Sequence, residues 1–80
     1  MEITLKGNWF VARRGGELKV YHDCQGRGED TLFPGSVVKY LIDDKPFYQC
    51  GVTRCQRRMP GDAVKEAYRL GATFGQGGKI

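Results

Sequence analysis

The residue types best suited to chemistry in this 80-residue chain are its single histidine and its three cysteines. His22-x-Cys24 and Cys50-x-x-x-x-Cys55 together supply four soft or borderline ligands, the number that completes a tetrahedral zinc site. Paired cysteines in such sites usually lie on a tight glycine-containing turn, and neither pair here matches that pattern. We therefore expect no metal or other cofactor and interpret the thiols as small buried hydrophobic residues. A zinc site formed by His22, Cys24, Cys50 and Cys55 is the alternative.

Catalytic arrangements find little support in the sequence. A nucleophilic cysteine needs an activating base, an oxyanion hole and a specificity pocket, and a chain of this length has little room for them. The glycines between residues 71 and 78 follow a predicted helix, whereas the glycines of a phosphate-binding loop precede one. Asp43-Asp44 and Glu29-Asp30 fall in predicted turns, where carboxylates are usually solvated. We expect a protein that is not an enzyme and has no small-molecule substrate.

Basic residues are concentrated in one part of the chain. The net charge is +4, and the segment from Arg54 to Arg69 contains five basic and two acidic residues. Arg57 and Arg58 precede a predicted helix start, where the helix dipole disfavours cations, and Lys65 and Arg69 are like charges four residues apart. Local stability does not explain this pattern. A contact with an anion or an acidic protein is one interpretation, and a solvated charged face is the other.

The elements that must position these residues begin with a hairpin. Gly15-Gly16 lies between two apolar runs, a pattern typical of a two-residue turn. With this turn, Arg14 lies opposite Glu17 and Trp9 lies opposite His22. Because side chains alternate between the two faces of a strand, the core face then carries Trp9, Val11, Leu18 and Val20. The other face then carries Phe10, Ala12, Lys19 and Tyr21. Asp23 to Asp30 is predicted to be a mobile surface loop.

A second hairpin and a helix follow. Ser36 to Ile42 and Phe47 to Val52 are predicted strands separated by Asp43 to Pro46; a short helix capped by Ser36 is the alternative for the first strand. Ala63 to Gly71 is predicted to be a helix with Asp62 as its N-cap, with Val64, Ala67, Tyr68 and Gly71 facing the sheet. The fold class is therefore α+β, with an antiparallel sheet of about four strands packed by one C-terminal helix.

The composition fits a single small domain spanning residues 1–80, with a flexible glycine-rich tail from about residue 75. The apolar runs are too short to span a membrane, and the first six residues lack the features of a secretory signal. We expect the protein in the cytoplasm of a bacterial host cell.

In length, basic charge, α+β architecture and absence of familiar motifs, the chain resembles the small anti-CRISPR proteins encoded by phages and other mobile elements. The resemblance implies an inhibitor that binds a host CRISPR effector and blocks its DNA binding or its recruitment of a nuclease. It carries over no residue roles. From the residues themselves, the predicted partner-binding set is Arg54, Arg57, Arg58, Lys65, Arg69, Lys19, Phe10 and Tyr21. The alternative is a small nucleic-acid-binding module in which the cations bind phosphates and Phe10 or Tyr21 stacks on bases.

Overall fold

The computed structural model of the protein describes residues 2–24 and 34–79. These residues form β1 (Glu2–Lys6), β2 (Trp9–Arg14), β3 (Glu17–His22), β4 (Gly35–Ile42), β5 (Lys45–Cys50), α1 (Gly61–Arg69) and β6 (Gly75–Lys79). The strands β1 to β5 pair in sequence order, each antiparallel to the next, and β6 pairs in parallel with β4. The α+β class is confirmed, but the sheet has six strands instead of about four.

The first predicted hairpin is confirmed together with its register. Arg14 pairs with Glu17 and Trp9 pairs with His22, as the turn at Gly15-Gly16 requires. Both glycines have positive φ, at 57° and 84°, which permits the tight turn that matches the twist of the strands. The core face is also confirmed, because Trp9, Val11 and Val20 are buried in the main cluster.

Strand β1 was not predicted, because its short sequence carries no turn or cap signal of its own beyond Gly7. It pairs with β2, with Ile3 opposite Val11 and a register shift between Thr4 and Lys6. Ile3 and Leu5 pack against the buried cluster, so β1 extends the apolar face of the hairpin. Tertiary pairing therefore makes a strand of a segment whose local sequence is ambiguous.

The second hairpin is also present, and its boundaries differ from the predicted ones. The turn consists of Asp43 and Asp44 alone, with φ of 50° and 63°, and aspartate tolerates this left-handed conformation. Lys45 and Pro46 consequently belong to β5, and the strand ends at Cys50. Because Ser36 to Ile42 lies within β4, the alternative of a short helix in this segment is wrong.

Helix α1 begins two residues earlier than predicted, at Gly61 instead of Ala63. Pro60 occupies the N-cap and has no side-chain acceptor, so Asp62 lies in the first turn and is not the cap. Asp62 still favours the helix start, because its Oδ1 accepts a hydrogen bond from the Ala63 N–H at 3.0 Å. Its Oδ2 pairs with Lys6 Nζ at 2.8 Å, and this contact lowers the pKa of the Asp62 carboxyl. The helix ends at Arg69, two residues before the predicted end, and Gly71 follows the C-cap in the predicted left-handed conformation, with φ of 79°.

The helix packs on the sheet through small side chains. Ala63 and Ala67, four residues apart, are buried, whereas Tyr68 is 49% exposed. Tyr68 is therefore not part of the buried contact between helix and sheet, although its ring and hydroxyl meet Tyr48 of β5 at the margin. Alanines at this spacing let the helix backbone approach the strands closely, and the larger tyrosine ring lies at the margin of that contact.

The glycine-rich segment at the end of the chain is a strand instead of a flexible tail. Gly75 pairs with Val38, and Lys79 pairs with Leu41. A Cβ on Gly77 would lie 2.3 Å from the Tyr40 ring, so glycine is what permits this close approach. Backbone hydrogen bonding to β4 replaces the apolar contacts that the segment lacks.

The core is made of small and medium side chains, and Val11, Val20, Val37 and Cys50 are its largest fully buried members. Trp9 and Met59 complete the cluster with three alanines. Among the described residues, no helix is long and apolar enough to cross a membrane. The predicted mobile loop lies outside the described residues from position 25 onward.

An aromatic cluster joins β5, α1 and the segment before β6, and it predicts a specific loss of stability at high pH. The hydroxyls of Tyr48 and Tyr68 are 2.6 Å apart, and the Phe74 ring packs on both side chains. Burial and then the contact with Tyr68 raise the pKa of Tyr48 to about 12. The neutral phenol therefore stabilises the fold fully below the unfolded-state pKa of about 10, and the contribution is lost as pH rises towards 12.

We expect the free energy of unfolding of the wild type to fall more steeply above pH 10 than that of Tyr48→Phe. Urea unfolding at a series of pH values measures this slope. Equal slopes in the wild type and Tyr48→Phe would show that Tyr48 does not titrate in this way.

Candidate metal centre and basic surface

The ends of three neighbouring strands bring the histidine and the cysteines together at one end of the sheet. His22 ends β3 and pairs with Gly35 at the start of β4, while Cys50 ends β5 and pairs with Val37. Antiparallel pairing thus places the end of β3, the start of β4 and the end of β5 side by side. Cys24 follows β3 by two residues, and Cys55 lies in the turn after β5.

The ligand atoms of the four residues converge. His22 Nδ1 lies 3.3 Å from both Cys24 Sγ and Cys55 Sγ, and Cys24 Sγ lies 3.2 Å from Cys50 Sγ. All four atoms lie within 4.8 Å of one another. A zinc tetrahedron with Zn–S of ~2.3 Å and Zn–N of ~2.0 Å has edges of about 3.5 to 3.8 Å. The separations of the four ligand atoms run from 3.2 Å to at most 4.8 Å, and the edge lengths of a zinc tetrahedron fall within this interval. The three cysteines are free thiols.

Burial differs across the cluster. Cys50 is fully buried and His22 is nearly so, with its ring against the Trp9 ring at a centroid distance of 4.1 Å. Cys24 is exposed and Cys55 is partly buried. The interpretation of the thiols as small buried hydrophobic residues therefore suits Cys50 but not Cys24 or Cys55.

Electrostatics favour the unprotonated imidazole. Burial and then the charge of Arg57 lower the pKa of His22, although Asp23 opposes them. Neutral imidazole is the form that binds metals.

The three thiols differ in the direction in which their surroundings shift their pKa. Burial raises the pKa of Cys24 and raises that of Cys50 to about 12. Burial also disfavours the Cys55 thiolate, but hydrogen bonds from the Arg57 backbone and the other thiols outweigh it and lower the pKa of Cys55. In the absence of a cation, Cys55 is therefore the thiol that ionises most readily.

Backbone groups surround the sulfur atoms. The backbones of Gly35, Val52 and Arg57 act on the thiols of Cys24, Cys50 and Cys55 respectively, and each contributes to lowering the pKa of its thiol against the effect of burial. Gly35 is required for this proximity, because a Cβ there would lie 2.4 Å from Cys50 Sγ. Gly35 is not among the site residues that the sequence predicts, because its only local signal is its position before a β-branched run.

The loop between β5 and α1 carries the three predicted arginines. Arg54, Arg57 and Arg58 are all exposed, and the loop returns along β5 through a hydrogen bond from Cys50 N–H to Arg57 O of 2.9 Å. Among the described residues, no carboxylate lies within 4.0 Å of any of these guanidinium groups. This basic loop is therefore an exposed cationic surface anchored at its base by the sheet.

A shallow apolar groove adjoins the basic loop. The Arg58 guanidinium lies 4.6 Å from the centroid of the Phe47 ring, a cation–π contact. The groove is lined by Pro46, Phe47, Tyr48, Arg58, Met59, Gly61, Val64 and Lys65. Lys65 and Arg58 thus line one groove, and Phe47 is a member of this surface that the sequence did not indicate.

The remaining predicted binding residues have other contacts. Lys19 Nζ lies 3.8 Å from a Glu17 carboxylate oxygen, and Arg69 pairs with Glu66 at 3.4 Å. Phe10 and Tyr21 stack on each other with centroids 5.7 Å apart. The Tyr21 side chain is buried in this arrangement, which leaves Phe10 as the more accessible ring of the pair.

No family model, curated protein or solved structure matches the chain. Its possible chemistry follows from the two features just described. In the histidine–cysteine cluster, four ligand atoms lie close together at one end of the sheet. In the basic loop, cations lie beside an apolar groove.

Proposed function

We propose that the protein is a non-enzymatic binding protein that inhibits a larger macromolecular complex by covering one of its surfaces. The observation that carries the proposal is the exposed basic loop, in which Arg54, Arg57 and Arg58 have no carboxylate partner among the described residues. Like charges close together disfavour folding, so the stability of the fold alone does not explain why one short loop exposes three arginines. The loop suits an acidic surface on another macromolecule.

The groove beside the loop favours a protein partner over nucleic acid. Arginine packed on an aromatic ring next to apolar side chains is the composition that dominates protein-binding hot spots. The guanidinium of Arg58 packed on the Phe47 ring has this composition. The rings expected to stack on bases, Phe10 and Tyr21, are instead stacked on each other. Nucleic-acid binding is therefore the second candidate, supported by the cations alone.

The partner we propose is a CRISPR effector of the bacterial host, as the resemblance to anti-CRISPR proteins implies. Such effectors bind nucleic acid and recruit nucleases through extended surfaces. A small rigid domain with a cationic loop would block one of those surfaces by occupying it. This mechanism requires neither a cofactor nor a reaction, in keeping with the predicted absence of enzymatic activity.

An interference assay tests this proposal. Strains carrying CRISPR systems of different types are transformed with a targeted plasmid, with and without expression of the protein. We expect transformation in at least one strain to rise to the level of an untargeted plasmid when the protein is present. Undiminished interference in every strain, with the protein shown to be soluble and folded, would contradict the proposed partner.

Charge reversal connects the activity with the basic loop. Arg54→Glu with Arg58→Glu should reduce binding to the target at least 10-fold and leave the melting temperature within a few degrees. Arg13→Glu with Arg14→Glu is the matched control, because it makes the same change in net charge and also removes one cation–π contact, that of Arg14 with Tyr21. Equal losses of binding in both double variants would show that only net charge matters.

Salt dependence separates the two candidate functions. A protein complex that persists in ~0.5 M salt and survives nuclease treatment would support the inhibitor. Retention of labelled DNA or RNA at low salt, with release as the salt concentration rises, would support the nucleic-acid module.

A further inference from the structure

We propose that His22, Cys24, Cys50 and Cys55 bind one structural Zn²⁺ ion through His22 Nδ1 and three thiolate sulfurs. The four atoms already lie within 4.8 Å of one another. The zinc site does not depend on the proposed function, because it is inferred from the four side chains at the end of the sheet and not from any partner of the basic loop.

The convergence of the four side chains supports a metal site. The chain has one histidine and three cysteines, and all four contribute to this single cluster. Cys24 is 26 residues from Cys50, and Cys55 is 33 residues from His22, so chain proximity does not account for their contacts. The pairing of β3, β4 and β5 brings them together.

The donor set selects the metal. Three thiolates and one imidazole form a soft ligand set, and four protein ligands complete the tetrahedral coordination of zinc. A closed set of four leaves no position for a substrate or a reactive water, which makes the site structural. Separations of 3.2 to 3.3 Å need to open by about 0.2 to 0.6 Å to match a zinc tetrahedron.

The surroundings suit the charge of the centre. Zn²⁺ with three thiolates carries a net charge of −1. The backbones of Gly35, Val52 and Arg57 each favour the thiolate form of one of the three cysteines, and the Arg57 charge acts on both His22 and Cys55. Donors and a cation around the ligands stabilise such a centre.

The metal would also supply stability that the small core lacks. The buried cluster consists largely of valines and alanines, and a domain of about this length buries only about 60 to 65% of its unfolded surface. Metal ligation crosslinks the end of β3, the end of β5 and the base of the basic loop. Binding displaces the thiol protons into solvent, and the unfolded chain holds no preformed site, so binding free energy adds to folding free energy.

A disulfide is the competing use of these thiols. The 3.2 Å between Cys24 Sγ and Cys50 Sγ is longer than the ~2.05 Å of a disulfide, but a modest movement would close it. That bond would leave Cys55 unpaired and remove two ligands from the cluster. Zinc binding and this disulfide are therefore mutually exclusive.

The first test is the metal content of protein purified under reducing conditions without added chelator. We expect one zinc per chain by elemental analysis, and a fall in melting temperature of at least 10 °C when a strong chelator removes it. Replacement by Co²⁺ should give the visible bands of a tetrahedral site and thiolate-to-cobalt charge transfer consistent with three sulfurs. Protein with no zinc and no uptake of either metal, or with a mass lower by two hydrogens, would overturn the proposal.

Variants assign the ligands. Cys24→Ser and Cys55→Ser should each weaken zinc binding at least 100-fold and lower the melting temperature, although neither thiol is fully buried. Thr53→Ala, an exposed change in the same loop, is the control and should retain full zinc content. Because Cys50→Ser and His22→Ala alter buried positions and so risk unfolding, the two accessible cysteines carry the test. Wild-type zinc affinity of Cys24→Ser or Cys55→Ser, measured by competition with a chelator, would overturn the proposed ligand set.

Discussion

Replacing Gly35 with alanine is expected to lower the free energy of unfolding by about 2 to 3 kcal/mol. The new Cβ would lie 2.4 Å from Cys50 Sγ and 2.8 Å from Val52 Cγ2. Cys50 is fully buried, so its sulfur can move away from the new Cβ only by displacing the side chains packed around it. Because the start of β4 pairs with His22, the displacement would also spread to the histidine–cysteine cluster. Chemical denaturation followed by tryptophan fluorescence measures the change.

Gly61→Ala is the matched control for this prediction. It makes the same chemical change at the first residue of α1, where a Cβ would meet no atom within 4 Å. Alanine is the better helix former, so the control should leave stability unchanged or raise it by up to about 0.5 kcal/mol. Equal effects of the two substitutions would show that the close approach at Gly35 is not a constraint.

Val37→Ala is expected to cost about 2 to 3 kcal/mol, a large part of the stability of a domain of this size. Val37 is 1% exposed and is opposite Cys50 in the pairing of β4 with β5. Removal of its two methyl groups leaves a cavity in the buried cluster on one face of the sheet, where backbone pairing of β4 with β5 limits collapse. Thermal or urea unfolding gives the difference.

Val52→Ala provides the comparison, because the same atoms are removed from a side chain that is 37% exposed. We expect a loss of about 0.5 kcal/mol or less. A cost at Val37 no larger than that at Val52 would mean that the buried cluster does not hold β4 and β5 together. The prediction for Val37 does not depend on the presence of a metal.

Local sequence determined the parts of the fold that form between near neighbours. Gly15-Gly16 specifies both the turn and the register of β2 with β3, because two positive-φ residues fix how the strands meet. The helix was recognisable for a similar reason, since residues 63–69 are good helix formers and Gly71 can end the helix. The errors at Asp43-Asp44 and Asp62 are errors of one or two positions in locating a turn and a cap.

Tertiary structure alone decided the strands at the two ends of the described chain. Neither β1 nor β6 has a strong local preference, and each is a strand because a neighbour offers unpaired backbone groups. The glycines that predicted a flexible tail are instead what allows β6 to lie against the Tyr40 ring. A local pattern cannot show which partner a segment will find.

The same distinction applies to the functional residues. The concentration of arginines after β5 is visible in the sequence, but the packing of Arg58 on Phe47 requires the loop to return along its own strand. The four possible zinc ligands were likewise visible as residue types, whereas their spacing argued against a site. Familiar spacings describe sites built on single turns, and this cluster is built across three strands. Only the sheet order β3-β4-β5 brings together ligands that are up to 33 residues apart in the chain.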